Sequence, residues 1–150
     1  MTGLLWFALA ASLLFACATD CKSCEVYNFT WWIGGAAALL LLAEGRGNIS
    51  AVNIAQLLFY IALQLLFFSR MYGKADCYAF SVCAVAETAV GMQLMEYLFH
   101  MLIAFAILAL VQGVKHNIAD NGNLKHPVPF LPYITLAFWT LLWYHVNVRT

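Results

Sequence analysis

Apolar stretches separated by short polar breaks follow one another along the whole chain. The first three cover about residues 3–18, 29–43 and 51–68. The next, residues 77–114, is too long for one span, because at about 1.5 Å per residue it would reach nearly twice a ~30 Å hydrocarbon core. We therefore predict two helices there, with a break near Val90-Gly91-Met92-Gln93, and a last helix over about residues 130–146. The pattern predicts six membrane-spanning helices, several of them near the lower limit of about 17 residues.

Prolines mark the start of the last predicted helix. Pro127, Pro129 and Pro132 stand before it or in its first turn. Proline is tolerated at a helix start because the first backbone N–H groups have no partner within the helix. The three prolines therefore indicate where this helix begins.

Composition agrees with a membrane protein. Of the 150 residues, 65% are hydrophobic and 9% are charged, whereas soluble domains carry about 45–50% apolar and about 25% charged residues. The formal net charge is zero, and no basic arm or acidic tail indicates a nucleic-acid partner. At this length we expect a single domain, residues 1–150, in an all-α, polytopic membrane protein.

The first apolar stretch also resembles the apolar region of a signal peptide. Leu14-Phe15-Ala16-Cys17 even resembles a lipoprotein cleavage site. A signal peptide has a positively charged region before its apolar region, and no Lys or Arg precedes this one. We therefore expect the stretch to be retained as the first helix.

Basic residues orient the predicted helices. With the N-terminus outside, the cytoplasmic connections are residues 19–28, 69–76 and 113–127. They hold five basic residues, Lys22, Arg70, Lys74, Lys115 and Lys125. The opposite side holds two, Arg46 and Arg149. This excess on the cytoplasmic side follows the positive-inside rule, and it would be lost if residues 77–114 formed one helix.

Two aspartates are the candidate chemical groups. Asp20 comes at the end of the first predicted helix and Asp76 at the start of the fourth, so both lie at the cytoplasmic edge of the six-helix arrangement. Two facing carboxylates in a low-dielectric site can share one proton. The ionised one then takes a proton from water while the protonated one polarises a scissile carbonyl, as in aspartic proteases. The alternative is that both aspartates cap helix ends, a common role for this residue.

The sequence around both aspartates resembles the type IV prepilin peptidase family. In that family an aspartate ends a helix and is followed by a hydrophobic-Pro-Asn turn, at the distance that separates Asp20 from Asn28. Gly73-Lys74-Ala75-Asp76 resembles the second motif, Gly-x-Gly-Asp. Pro129-Phe130-Leu131-Pro132 is similar to the Pro-Phe-x-Pro segment that begins the last helix of these enzymes. The resemblance covers essentially the whole chain, in the short form without a methyltransferase domain.

Three positions depart from the family motifs. Tyr27 stands where the family usually has proline, and Ala75 stands where it has the second glycine. The segment Cys77-Tyr78-Ala79 lacks the lysine that often follows the second aspartate. Alanine for glycine is a mild change because both residues are small, whereas the other two departures allow a different substrate or a loss of activity.

The resemblance implies a specific activity. Such enzymes, which belong to prokaryotic cell membranes, remove a short basic leader from prepilins or pseudopilins, cutting after a glycine at the cytoplasmic membrane face. Asp20 and Asp76 would be the catalytic aspartates, with no cofactor and no metal. The partners would be the substrate leader, its transmembrane segment and the lipid bilayer. The residues expected to support the motifs or bind substrate are Asn28, Gly73, Lys74, Ala75, Pro129 and Pro132.

Two other functions remain open. Cys21 and Cys24 form a C-x-x-C pair, which is typical of thiol chemistry and would suit a membrane thiol-disulfide oxidoreductase. Our orientation places this pair inside the cell, where thiols stay reduced, and incidental cysteines are favoured. The third class is a catalytically silent membrane scaffold or a small transporter, although the two halves show no inverted repeat.

Acidic residues within the fourth and fifth predicted helices form a further candidate site. Glu96 and His100 are four residues apart, so they share a helix face and could pair. A proton or metal pathway is one interpretation of this pair. For Glu87 and Glu96 we favour a satisfied polar contact between helices, or a position at the membrane interface near the break.

Overall fold

The computed structural model describes residues 1–45, 49–118 and 128–148, with side chains described outside 115–118. These residues form helices and contain no strand. The helices are α1 (Thr2–Ser23), α2 (Asn28–Glu44), α3 (Ala51–Leu66), α4 (Lys74–Ala89), α5 (Leu94–Ile118) and α6 (Leu131–Val148), with a short 3₁₀ helix over Phe68–Arg70. The predicted all-α fold class is confirmed.

The predicted break in the long apolar stretch is also confirmed. Helix α4 ends at Ala89 and α5 begins at Leu94. The largest difference from the predicted boundaries is at α1, which continues to Ser23 and therefore includes Asp20 in its last turn. Cys24 then ends the helix in the left-handed conformation, with φ of 53°, and its N–H donates to the Asp20 carbonyl oxygen at 2.8 Å.

Three helical segments are long and apolar enough to cross a membrane. They are Thr2–Ser23, Ala51–Arg70 and Leu94–Val114. Large apolar side chains point outwards from them, including Phe7, Leu66 and Leu110. A membrane covers such surface, whereas soluble monomers rarely expose it in continuous patches. The fold is therefore consistent with a membrane protein.

Helix α4 lies at the centre of the bundle. It packs against α2, α3, α5 and α6, while α1 packs against α2 and α6. Small residues let these helices approach closely, as is common in membrane bundles. A Cβ atom at Gly34 on α2 would lie 2.7 Å from Ser12 Oγ on α1, so glycine permits this contact.

The two ends of the bundle carry different sets of residues. At one end, which we call the site end, the end of α1 with Asp20 meets the start of α6 with Leu131. At the opposite end, Thr2 of α1, Glu44 of α2 and Val90 after α4 line one small cavity. Helix α1 therefore runs antiparallel to α4 and α6, and the start of α4 lies at the site end.

The basic residues of the predicted topology are partly visible in the structure. Lys22, Arg70 and Lys74 are exposed, at the end of α1 and in the segment that leads into α4. The Lys115 side chain, Arg46, Lys125, Arg149 and Pro127 lie outside the described residues. The described basic residues are thus concentrated at the site end.

Candidate active site

Asp20 is held at the start of another helix. Its side chain is buried, with 8% of the residue exposed, and Oδ2 accepts a hydrogen bond from the backbone N–H of Leu131 at 3.1 Å. The backbone of Phe130 also interacts with this carboxyl group. Helix starts attract carboxylates because their first N–H groups are unpaired and carry partial positive charge. The site is therefore built from the end of α1 and the start of α6.

Asp76 comes to the same place from α4. It is the third residue of that helix and is half-buried. An acidic side chain in the first turn is stabilised by the helix dipole. The carboxyl groups of Asp76 and Asp20 lie within range of direct Coulomb interaction. The two aspartates predicted to act together therefore converge at the site end, although they are far apart in sequence.

The residues before Asp76 explain one departure from the family motif. Gly73 has φ of 106° and ψ of 156°, a conformation that is essentially restricted to glycine. A Cβ at this position would also contact Asp76 Oδ2, at 3.5 Å. Ala75 lies inside α4 and does not have positive φ. The backbone thus requires the first glycine of the motif and places no such requirement on the second position.

The residues that follow Asp20 explain a second departure. Tyr27 precedes α2 with φ of −71°, close to the value of about −65° that proline imposes. Tyrosine therefore keeps the backbone conformation that proline would give. Asn28 is exposed at the start of α2 and lines a cleft of about 390 Å³ with Trp31, Trp32 and Tyr78. The structure places Asn28 in this aromatic cleft.

The remaining motif residues lie at the starts of α4 and α6. Lys74 is the exposed first residue of α4. Pro129 precedes α6, and Pro132 is its second residue; both are half-buried. They flank the Leu131 N–H that binds Asp20. Their fixed φ angles favour a helix start at this point.

Tyr72 is a site residue that the sequence did not identify. Its hydroxyl donates a hydrogen bond to Oε1 of Gln64, a fully buried residue of α3. Gln64 Nε2 in turn lies 3.6 Å from Met101 Sδ on α5. Burial raises the pKa of the Tyr72 hydroxyl, so this group stays protonated and remains a donor. The bond fixes the chain one residue before Gly73.

The Tyr72 ring connects the segment that leads to Asp76 with the segment that leads to Leu131, whose N–H binds Asp20. It packs against Phe80, Phe105 and Phe130 at centroid distances of 5.9, 5.5 and 6.0 Å. These rings belong to α4, to α5 and to the segment that leads into α6. Tyr72 therefore contacts the segment that presents the Leu131 N–H and also precedes the turn that presents Asp76. A single tyrosine in a polar break gives no sequence signal for this role.

The cysteines near Asp20 have different surroundings. Cys17 Sγ lies 3.1 Å from Thr135 Oγ1, in a contact between α1 and α6. Cys21 and Cys24 are exposed at the end of α1. The C-x-x-C pair therefore lies at the surface of the site end, beside the aspartates.

His100 pairs with a residue of α4, and not with Glu96, which helical spacing allowed as a partner. Its ring nitrogens face Glu87 Oε1 and the Ile134 carbonyl oxygen, at 2.7 and 2.9 Å, so both are occupied without Glu96. Glu96 Oε2 accepts the backbone N–H of Gln93 at the start of α5. Helical spacing allowed a pair within α5, but the bundle brings a residue of α4 closer. The expected interhelical contact of Glu87 is present.

The arrangement at the site end has the components of acid–base chemistry. It holds two carboxyl groups within range of Coulomb interaction, one buried on a backbone donor and one half-exposed. Such a pair can hold one proton and act as base and acid towards a water molecule and a carbonyl group.

Comparison of the chain with models of known families, with curated proteins and with solved structures finds no match in any of the three.

Proposed function

We propose that this chain is a membrane aspartic endopeptidase that removes the N-terminal leader of prepilin-like or pseudopilin substrates. The observation that carries the proposal is the convergence of Asp20 and Asp76 at one end of an apolar helical bundle. The motifs around both aspartates support it, because Gly73 has a backbone conformation that essentially only glycine adopts. The start of α6, with its proline-flanked segment, completes the site.

The proposed reaction uses the two carboxyl groups in complementary roles. The ionised carboxylate removes a proton from water, and the resulting hydroxide attacks the scissile carbonyl carbon. The protonated carboxyl group donates its proton to the carbonyl oxygen as the tetrahedral intermediate forms. When the C–N bond breaks, the leaving amine takes the proton from the first carboxyl group, and a hydroxyl of the intermediate returns its proton to the second, so the starting protonation state is restored. Asp76 is the more exposed of the two and lies nearer to solvent.

The proposed topology has six spans, with the N-terminus outside and the site end at the cytoplasmic face of a prokaryotic cell membrane. The exposed basic residues Lys22, Arg70 and Lys74 at the site end support this orientation. Helix α4 has 16 residues and rises about 24 Å, less than a ~30 Å hydrocarbon core. Water can therefore reach Asp76 through a locally thin membrane, while the substrate helix approaches from the lipid.

A structural role for the aspartates is the main alternative. The bond from Leu131 N–H to Asp20 is also what a helix cap supplied by another segment would form. A silent scaffold needs that bond and has no need of an acid at either position. Asparagine keeps an oxygen acceptor and removes the acid, so Asp-to-Asn variants separate the two functions.

The test is leader cleavage in membranes that contain the wild type or single variants. The substrate is a prepilin-like protein with a basic leader, a glycine before the cut and an apolar helix of about 20 residues. Asp20→Asn and Asp76→Asn should abolish cleavage and leave the protein in the membrane. Glu25→Gln, which alters an exposed acid at the same end, is the matched control and should cleave normally. Leader cleavage retained in both aspartate variants would contradict the proposal, whereas the oxidoreductase predicts no leader cleavage by the wild type and a thiol–disulfide exchange activity that is lost in Cys21→Ser.

A further inference from the structure

Glu87 and His100 form a buried pair away from the aspartates. Glu87 on α4 is 0% exposed and His100 on α5 is 1% exposed. Glu87 Oε1 lies 2.7 Å from His100 Nδ1. Ionisable groups inside a membrane bundle are costly and usually have a function. The pair needs an explanation that the aspartate chemistry does not supply.

The ring contacts of His100 determine how many protons the pair holds. Nε2 lies 2.9 Å from the Ile134 carbonyl oxygen, and a carbonyl only accepts, so Nε2 carries a hydrogen. A neutral imidazole has one N–H, which leaves Nδ1 without a hydrogen opposite a carboxylate. Without a further proton, both Glu87 oxygens would be buried with no donor among the described side chains and backbone. A proton therefore lies between Nδ1 and Oε1, and the pair as a whole is neutral.

Aromatic rings enclose the pair. The imidazole packs against Phe80 of α4 and Phe138 of α6, at centroid distances of 5.3 and 6.0 Å. Electrostatic interactions strengthen in such a low-dielectric environment, and breaking a buried pair by removing one partner is costly. The contact is therefore a strong link between α4, α5 and α6.

This link is aligned with the candidate active site. Ile134 lies one helical turn after Leu131, whose N–H binds Asp20. On α4, Glu87 follows Asp76 by three turns, and at about 100° per residue the two lie on nearly the same helix face. Glu87 thus connects the pair to α4, which carries Asp76. The contact of His100 with Ile134 connects the pair to the turn of α6 that anchors Asp20.

We propose that Glu87 and His100 share one proton and act as a positioning pair, which fixes the first turn of α6 against α4. Through this contact the pair sets the position of Asp20 relative to Asp76. The effect on leader cleavage rests on the proposed function, whereas the shared proton does not. His100 and Glu87 touch neither the substrate nor the reacting atoms, so they are positioning residues.

The first test is spectroscopic and needs no substrate. In protein labelled with ¹⁵N-histidine, the His100 signals are assigned by their loss in His100→Gln. We expect Nε2 to be protonated and Nδ1 to show a strong, shared hydrogen bond. Glu87→Gln should shift the Nδ1 signal to that of a nitrogen that only accepts. A His100 Nδ1 signal that is insensitive to Glu87→Gln would overturn the shared proton.

The second test compares variants in the cleavage assay. Glu87→Gln keeps a polar partner for Nδ1, so its kcat should stay within a few-fold of the wild type. Glu87→Leu removes the link and leaves His100 Nδ1 without its partner, and its kcat should fall about 100-fold with KM unchanged. Glu44→Gln, at the exposed opposite end, is the control.

The results distinguish the two proposals. Full kcat in Glu87→Leu would overturn the positioning role. Absence of cleavage in the wild type, with the expected ¹⁵N spectrum, would instead reject the peptidase and leave the shared proton intact.

Discussion

Asp20 on α1 accepts a hydrogen bond from the backbone N–H of Leu131, the first residue of α6, at 3.1 Å. The bond joins the first and last helices, so the carboxylate has a structural consequence whatever its chemistry. The backbone of Phe130 also interacts with the same carboxyl group. The structural and chemical contributions of this side chain can therefore be measured separately.

The stability of Asp20 variants should depend on whether the side chain keeps an oxygen that accepts the Leu131 N–H, and not on whether the side chain is an acid. Asp20→Asn keeps an oxygen for the Leu131 N–H, so its thermal unfolding in detergent should be close to that of the wild type. Asp20→Leu leaves that N–H buried without a partner, at a cost of about 1–3 kcal/mol. Both should lack leader cleavage. An active Asp20→Asn would assign this residue to helix capping alone.

Substitution of Gly73 should lower stability and cleavage, whereas substitution of Ala75 should change both only slightly. Gly73→Ala forces a side chain into a conformation with φ of 106°, which costs about 1–3 kcal/mol and displaces Asp76. We expect lower stability and lower cleavage. Ala75→Gly restores the family motif inside a helix, costs at most about 1 kcal/mol, and should cleave at nearly the wild-type rate. Higher activity in Ala75→Gly would show that the second glycine is needed for more than backbone space.

Removal of the Tyr72 hydroxyl should lower both the stability of the protein and its rate of leader cleavage. Tyr72→Phe keeps the ring contacts with Phe105 and Phe130 but leaves Gln64 Oε1 buried without this donor. The expected cost is about 1–3 kcal/mol, with a fall in kcat. Tyr144→Phe, an exposed tyrosine of α6, is the control in the same unfolding and cleavage measurements. Equal behaviour of the two variants would remove Tyr72 from the site.

The sequence predicted most of the helices because apolar stretches form the packed and outward-facing helices, while polar breaks mark their ends. It placed the break between α4 and α5 within residues that form the observed turn. It ended the first apolar stretch near residue 18, whereas α1 continues to Ser23, since a charged residue inside a helix resembles a break when its partner is unknown. The Leu131 donor lies on a distant helix, and only the folded bundle reveals it.

The site was predicted less completely than the fold. Both aspartates carry local motifs, so they could be identified from sequence. The roles of Tyr72 and Gln64, and the pairing of Glu87 with His100, depend on contacts between helices, whereas helical spacing allowed only the pair of Glu96 with His100 to be named. Asn28 was grouped with the aspartates by its motif, whereas the structure places it in the aromatic cleft.

The proposed orientation can be tested with native cysteines. Cys21 and Cys24 are exposed at the site end, whereas Cys77 and Cys83 are buried. A membrane-impermeant maleimide should therefore label the protein in inverted membrane vesicles and not in intact cells. The double variant Cys21→Ser/Cys24→Ser should lose this labelling. Labelling in intact cells would place the site end outside and contradict cleavage at the cytoplasmic face.

The most direct measurement is leader release by purified protein in liposomes, with the wild type compared to Asp76→Asn. Asp76 is half-buried and no backbone hydrogen bond to its carboxylate is found among the described residues, so its replacement by Asn should leave the unfolding temperature nearly unchanged. We expect a single cut after the leader glycine by the wild type and none by Asp76→Asn. Equal cleavage by both proteins would show that Asp20 and Asp76 do not form an aspartic peptidase site.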